Sequence, residues 1–384
     1  MKTVLIAGVP YSDNYGDNLI HMGLKENLLS NGFCVDTLDI GGRTGFQQKS
    51  KKQGLKTKIL NSRNKFLIRF ATFINIFLVL FQSRKRWSLQ VKASDMICIG
   101  GGNLISDVHL NFPLKIFFLH ILCVIHKKKY AFVSVGVAEK HSRSSSFLFK
   151  HMLESKSCIY ISVRDVSSKN RIKKLSSREA RVTLDPAMFL KKNAQVIDVD
   201  KVAINIVDPI AIMEHSDKDL FVSSDVYNTW VCDLINRVKG YNLSPVLYTN
   251  GAKEDNAYLM KNFGLLDVDL VEVDSVAALM SIISSSNIIV ATRLHSAILA
   301  SVCEVPFTGM LWDSKVDAFF EELSIDSKFT SIFSSEGLSD YDFSVILDAQ
   351  KEFVRDLKAQ KESKINLLNI EYQELYKLIN EDGK

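Results

Sequence analysis

Residues 3–40 read TVLIAGVPYSDNYGDNLIHMGLKENLLSNGFCVDTLDI, and this stretch decides the fold class. The compact apolar run at 3–9 predicts a first strand. A loop of Pro, Ser, Asp, Asn and Gly follows, then a helical pattern from about Asp17 to Ser30, then a second strand at 35–40. Strand, loop, helix and strand in that order open a doubly wound α/β unit, whose parallel strands are covered by helices on both faces.

Outward from this opening the alternation continues. A strand at 96–99 runs into Gly100-Gly101-Gly102, a very apolar helix is expected at 114–125, and a strand at 130–135 is followed by a loop at 136–146. The strand at 158–163 ends on Arg164 and Asp165, a helix starts near Ser167, and 182–184 leads to the Asp185-Pro186 turn. After a boundary between 185 and 199 a second series begins, with strands at 202–207, 243–248, 270–273, 288–291 and 306–310 and helices between them. The predicted organisation is an N-terminal Rossmann-like domain at 1–192 with a basic and apolar excursion at 43–92, a C-terminal Rossmann-like domain at 193–347, and a helical tail at 348–384. No strict internal repeat is visible.

With 384 residues, 47% hydrophobic and 24% charged, the chain has ample material for large cores without staples, and it is neither disordered nor collagenous. The net charge is +5, yet residues 43–92 hold 13 Lys or Arg and no Asp or Glu, leaving −8 for the rest. That basic region lacks an aromatic-stacking or zinc-binding module, so nucleic acid is not the expected partner. Acidic glycans, lipid phosphates or membrane headgroups fit it better. Residues 66–81 form an apolar run of 16, short of the roughly 20 that cross a bilayer. Arg63 and Lys65 precede the run, and Arg84, Lys85 and Arg86 follow it. A buried core helix is the first reading; a helix lying on an anionic membrane surface through 63–86 is the second. The six cysteines show no metal-ligand spacing and read as buried thiols, and the apolar start has no cleavage signature before Asp13. A cytoplasmic location, peripheral on the inner face of the membrane in the second reading, is the expectation.

Four places carry possible chemistry. The loop at 8–17, with Asn14, Gly16 and Asp17, brings backbone N–H groups to the start of a helix; it reads equally as a ligand loop and as a capped turn. It has no GxGxxG or GxxxxGK[ST] pattern, which leaves nicotinamide and P-loop functions without support. Gly101 and Gly102 allow close approach of a ligand or a positive φ. Arg164, beside Asp165 at a strand end, suits a phosphate or carboxylate clamp or an internal ion pair. Arg293-Leu294-His295 follows the strand at 288–291, at the edge where parallel sheets meet ligands. There Arg293 suits an anion and His295 suits proton transfer, with a structural histidine as the alternative.

These motifs together resemble the polysaccharide pyruvyl transferase family. The resemblance is carried in order by Asn14-Tyr15-Gly16-Asp17, by Ile99 to Asp107 (IGGGNLISD), by Ser162-Val163-Arg164-Asp165 and by Asp185-Pro186-Ala187. It closes with Thr292-Arg293-Leu294-His295-Ser296-Ala297, Val305-Pro306 and Lys315-Val316. It implies two Rossmann-like parallel-sheet domains in a glycosyltransferase-B-like arrangement. The implied activity is transfer of the enolpyruvyl group of phosphoenolpyruvate to a saccharide of a cell-surface glycan, or to its lipid-linked precursor, as in exopolysaccharide biosynthesis. A pyruvyl ketal forms and phosphate leaves; no metal or cofactor is implied beyond phosphoenolpyruvate as donor substrate. His295 and Arg293 become the implied catalytic pair. Arg164, Arg293, Lys315, Asn14, Gly16, Gly101 and Gly102 are implied to bind the donor across a basic interdomain cleft, with Asp17 and Asp185 orienting the acceptor or supporting the fold. The sequence departs from the family pattern at Ala138-Glu139 and by offering Asn205 and Asp208 where an Arg is expected. A nucleotide-sugar-dependent glycosyltransferase and a non-enzymatic glycan-binding or assembly protein are the alternatives, and no oligomeric partner is assigned.

Overall fold

The run at 3–9 forms strand β1 (Thr3–Gly8) in the computed structural model, which describes residues 1–46, 65–107, 109–192, 197–216, 222–325, 329–334, 337–338 and 343–381. Two units emerge from the packing. One comprises Met1–Ser12, Ile20–Pro186 and Leu368–Lys384; the other comprises Asp13–Leu19 and Ala187–Leu367. The main-chain break at Pro186/Ala187 precedes the sequence-based boundary at 192/193, which abuts residues outside the described set.

In the first unit, β1 pairs in parallel with β2 (Cys34–Asp39) and β3 (Met96–Gly100). With β4 (Lys129–Val135), β5 (Cys158–Val163) and β6 (Arg181–Val182), the sheet order is β2-β1-β3-β4-β5-β6. Between strands run α1 (Tyr15–Ser30), α2 (Lys65–Ala93), α3 (Asn111–Ile125), α4 (Arg143–Glu154) and α5 (Val166–Leu175). Leu5, Ile97 and Phe132 of the strands meet Trp87, Ile116, Leu119 and Phe149 of the helices in one dry core. Removing those side chains from water is the main force holding the layers together. The chain order reverses between β1 and β3, so this is the sheet's switch point, where open α/β sheets place ligand crevices.

Helix α4 was not expected, because its opening Arg143-Ser144-Ser145-Ser146 has poor helix propensity. The Ser142 side chain compensates by accepting from Ser145 N at 3.2 Å, which caps the first turn. Helix α2 also departs from a simple buried rod. Ile76, Trp87 and Val91 enter the core, whereas Phe73, Phe77 and Phe81 are exposed. Arg63 and the excursion residues 47–64 lie outside the described residues. Among the described residues no helix is long and apolar enough to cross a membrane.

The second unit contains β7 (Asp198–Asn205), α6 (Pro209–His215), α7 (Ser224–Gly240), β8 (Ser244–Tyr248), α8 (Lys253–Phe263), β9 (Asp269–Val271) and α9 (Val276–Ser284). It continues with β10 (Ser286–Ala291), α10 (Leu294–Cys303), β11 (Phe307–Leu311), α11 (Ser314–Glu322), β12 (Thr330–Ser334) and β13 (Gly337–Leu338). The order β13-β12-β11-β10-β7-β8-β9 contains the 3-2-1-4-5-6 arrangement of dinucleotide-binding folds, with its switch point between β7 and β10. Only the β12–β13 pair is antiparallel among the described strands. The C-terminal helix, α12 (Phe343–Glu381), divides between the units: residues up to Leu367 group with the second and Leu368 onward with the first. In the first unit its Tyr372 hydroxyl bonds the Ser134 hydroxyl at 2.8 Å, and its Tyr376 hydroxyl bonds Asn27.

A buried histidine ties α1 to β2. His21 Nε2 lies 3.0 Å from Thr37 Oγ1, and burial, with a smaller push from Lys25, lowers its pKa to about 4. The unfolded chain protonates this imidazole near its ordinary value and the folded chain does not. His21 therefore supports the fold fully above about pH 6.5, and that support is lost as pH falls toward 4. Urea unfolding at pH 7 and pH 5 should show a loss of about 2 kcal/mol from this group, and His21→Gln should remove that part of the pH dependence. An identical pH slope in wild type and variant would show that His21 titrates normally.

Candidate functional site

In the second unit the site grows from the C-terminal ends of β7, β8 and β10. Asn205, the last residue of β7, accepts from Arg293 N at 3.1 Å and from Thr292 Oγ1 at 2.9 Å through its side-chain oxygen. Its amide donates to Asn250 Oδ1 at 3.0 Å, and Ser296 Oγ donates to the same oxygen at 2.7 Å. These groups are buried, and their mutual satisfaction fixes the turn between β10 and α10 that presents Arg293 and His295.

The loop that follows β1 joins this network. Tyr15 N donates to the Asn250 carbonyl at 3.1 Å, and Asn14 caps α1 by accepting from Gly16 N at 3.1 Å. Asp17 stands in the first turn of α1, where its charge complements the helix dipole. Gly16 lies directly against the His295 imidazole: a Cβ at position 16 would overlap ring atoms Nδ1, Cγ and Cε1. Its φ is not among the positive values, so space rather than backbone freedom is what glycine supplies here. Residues 14–17 and 293–295 are thus parts of one constellation.

Arg293 is engaged. Its Nε donates to Asp255 Oδ2 at 3.1 Å and its Nη2 to Asp255 Oδ1 at 2.8 Å, and the Asp255 side chain is fully buried. This bidentate pair neutralises much of the charge expected for donor binding. Nη1 makes no hydrogen bond among the described residues, and the side chain keeps 20% of its exposure. Asp255 also accepts from Asp208 N at 2.9 Å, so it locks two loops at once. Burial first, then the neighbouring Asp255 and Glu254, raises the pKa of Asp208 against the opposing pull of Ile210 N and Arg293. Asp255→Asn should destabilise the protein by about 3 kcal/mol in urea unfolding, because it leaves a half-buried guanidinium without its counter-charge. Unchanged stability would show the pair to be dispensable. Lys315, after β11, pairs with Asp313 at 3.2 Å, and Asp313 also accepts from Lys315 N.

The first unit carries a second cluster on its own strand ends. Gly101 and Gly102 make the turn after β3, both at positive φ, and Gly102 O accepts from Gly136 N at 2.9 Å. Beside Gly136 lie Asn103 and Arg164: a Cβ there would come within 2.9 Å of Asn103 Oδ1 and 3.0 Å of Arg164 Nη2. The Arg164 side chain is only 8% exposed, and its acidic neighbours are distant, with Asp165 at 3.7 Å and Asp185 at 3.9 Å. Its guanidinium makes no hydrogen bond among the described residues, although a buried donor of this kind is costly to leave without one. Asp165 is drawn away to cap α5 through Ser168 N at 2.6 Å. In the departing loop, Ala138 N donates to Ile105 O at 2.8 Å and Glu139 points to solvent.

Sequence reading did not anticipate Asn250 and Asp255. Their one local signal is Thr249-Asn250-Gly251, turn residues directly after a strand, and nothing near Arg293 in the chain announces a partner on α8. No group of His, Cys, Asp and Glu suited to a metal ion occurs among the described residues.

The family model for polysaccharide pyruvyl transferase matches residues 14–314. Among curated proteins, none matches the sequence. Among solved structures, an alpha-glucosyltransferase in complex with UDP and a 13-mer DNA is similar at a TM-score of 0.55 and 11% identity, covering 99% of each chain. A UDP-N-acetylglucosamine 2-epimerase is similar at 0.53 and 12% identity, over 98% of this chain and 96% of that one. A putative epimerase of the same kind from Listeria monocytogenes gives 0.51 and 10%, over 98% of each. These likenesses identify the fold as glycosyltransferase-B, built of two parallel-sheet α/β domains.

Proposed function

The chain belongs to the polysaccharide pyruvyl transferase family, a family of transferases, and from that premise we propose that it moves the enolpyruvyl group of phosphoenolpyruvate onto a saccharide. The observation that carries the donor assignment is Arg164, a buried guanidinium whose N–H donors lack hydrogen-bonding partners among the described residues. A carboxylate or phosphate satisfies such a fork with two parallel, charge-assisted bonds. His295, seated on Gly16, is the group that delivers a proton to the donor's methylene carbon. Protonation makes C2 electrophilic, a sugar hydroxyl adds there, and a second hydroxyl of the sugar replaces the phosphate to close the ketal. Arg293, through Nη1, and Lys315 stabilise the anionic groups, while Asn14 and the glycine turn at 101–102 shape the donor loops. Asp17 and Asp185 orient the acceptor or hold these loops.

The acceptor in this reading is a cell-surface glycan precursor, lipid-linked or free, which places the reaction on the cytoplasmic side and peripheral to the membrane. All six cysteines are free, as a reducing compartment allows. A nucleotide-sugar glycosyltransferase is the second reading, supported by the strand order at the β7/β10 switch point.

The test is phosphate release from phosphoenolpyruvate over a panel of saccharide acceptors, with the ketal identified by mass spectrometry. Acceptor-dependent phosphate with matching ketal is expected. Release of nucleoside diphosphate from a nucleotide sugar, with phosphoenolpyruvate inert, would establish the second reading instead.

A further inference from the structure

Helix α2 has two unlike faces. Ile76, Trp87 and Val91 are buried in the first unit's core, while Phe73, Phe77 and Phe81, one turn apart, are 60%, 63% and 56% exposed. A strip of aromatic rings on a helix surface is an unusual cost in water. Directly C-terminal on the same side stand Arg84 and Lys85, both exposed, and the Arg84 guanidinium lies 3.8 Å from the Phe81 ring centroid. Arg86 is engaged elsewhere, donating to Gly42 O at 2.9 Å. Neither α2 nor α3, which packs beside it through Trp87 and Phe118, contains an Asp or Glu.

We propose that this face of α2 docks the protein on an anionic phospholipid bilayer, the phenylalanines entering the acyl boundary and Arg84 and Lys85 meeting the headgroups. The geometry matches an interfacial helix: apolar area and basic charge on one side, and the opposite side fixed to a folded domain. A second copy of the chain suits the face poorly. Phe73, Phe77 and Phe81, with Ile74 and Leu78 beside them at 43% and 49% exposed, offer on the order of 500 Å² among the described residues. That is short of the roughly 800 Å² per partner in a stable interface. Two such faces would supply no acidic group to Arg84 and Lys85, since the helix has no Asp or Glu, whereas a bilayer of anionic lipid supplies both the apolar phase and the counter-charge. This inference stands whatever reaction the chain performs.

Co-sedimentation of the full chain with phosphatidylcholine vesicles, and with vesicles that also contain phosphatidylglycerol, tests it. Binding should be strong on the anionic vesicles, weak on the neutral ones, and reduced by raising salt well above about 0.1 M. R84Q/K85Q should lower partitioning about 25-fold, from about fivefold per basic residue. F73S/F77S/F81S should abolish it, with both variants melting at the wild-type temperature because the replaced side chains are exposed. Equal binding to both vesicle types, or variants that bind like wild type, would overturn the proposal. So would a wild-type dimer that the serine variant converts to monomer without any vesicle binding, which would assign the face to a second copy.

Discussion

The Gly16→Ala protein is expected to lose about 100-fold in transfer rate while staying folded, its gain in helix propensity offsetting part of the overpacking cost of about 1–3 kcal/mol. The two readouts separate because of where Gly16 sits. It occupies the first turn of α1 without a positive φ, so alanine there improves helix propensity by up to about 1 kcal/mol. The added methyl, however, claims space now filled by the His295 imidazole and must push the ring away. A displacement of about 1 Å is enough to remove a proton donor from its line of action. His295→Ala removes the donor itself and should cost between about 100-fold and 10,000-fold. The double variant should then be no slower than His295→Ala alone, since both changes disable one device. Additive losses would show that Gly16 serves something other than the imidazole, and full activity in His295→Ala would remove His295 from the chemistry.

Arg164→Gln should weaken phosphoenolpyruvate binding about 100-fold, corresponding to about 3 kcal/mol for a charge-assisted pair in a buried setting. Arg164→Lys should recover only part of this, because an ammonium keeps the charge but not the planar fork. The guanidinium also lies near Asp165 and Asp185, so its loss changes the local charge balance as well. Asp185→Asn separates the two roles: it removes one of those ion contacts yet leaves the fork in place, and donor affinity should survive. Calorimetric titration checks both. Donor affinity unaffected by Arg164→Gln would assign the arginine to the acidic pair alone.

The fold was legible where burial writes a simple pattern. The strands at 3–8, 96–100 and 158–163 are covered on both faces, and each appears in the chain as an apolar run closed by glycine or a charged turn. The start of helix α4 was illegible because a capping serine, rather than the propensity of its first turn, opens it, although Phe149, Met152 and Leu153 repeat along its buried face. The exposed side of α2 was hidden for a different reason: in 66–81 nearly every position is apolar, so the sequence carries no period from which to tell the buried face from the open one.

At the site, local sequence found the residues but not their partners. Arg293 stands at a strand end, as its position predicts, yet its bidentate contact with Asp255 is made across 38 positions and has no local signature. The reverse holds for Gly16 and His295. Both belong to motifs that stand out in the chain, and it is the grouping of Asp13–Leu19 with the second unit that brings them into contact. Glu139, in the loop that departs from the family pattern, is exposed.

The most direct test of the account is transfer run in deuterium oxide, with the pyruvyl methyl group of the product examined by NMR and mass spectrometry. If a proton is delivered to the methylene carbon of phosphoenolpyruvate, wild type should yield a ketal with one deuterium in that methyl group and one phosphate released per ketal, and His295→Ala should yield almost none. A ketal whose methyl carries no solvent deuterium, or one formed as fast without His295, would contradict it.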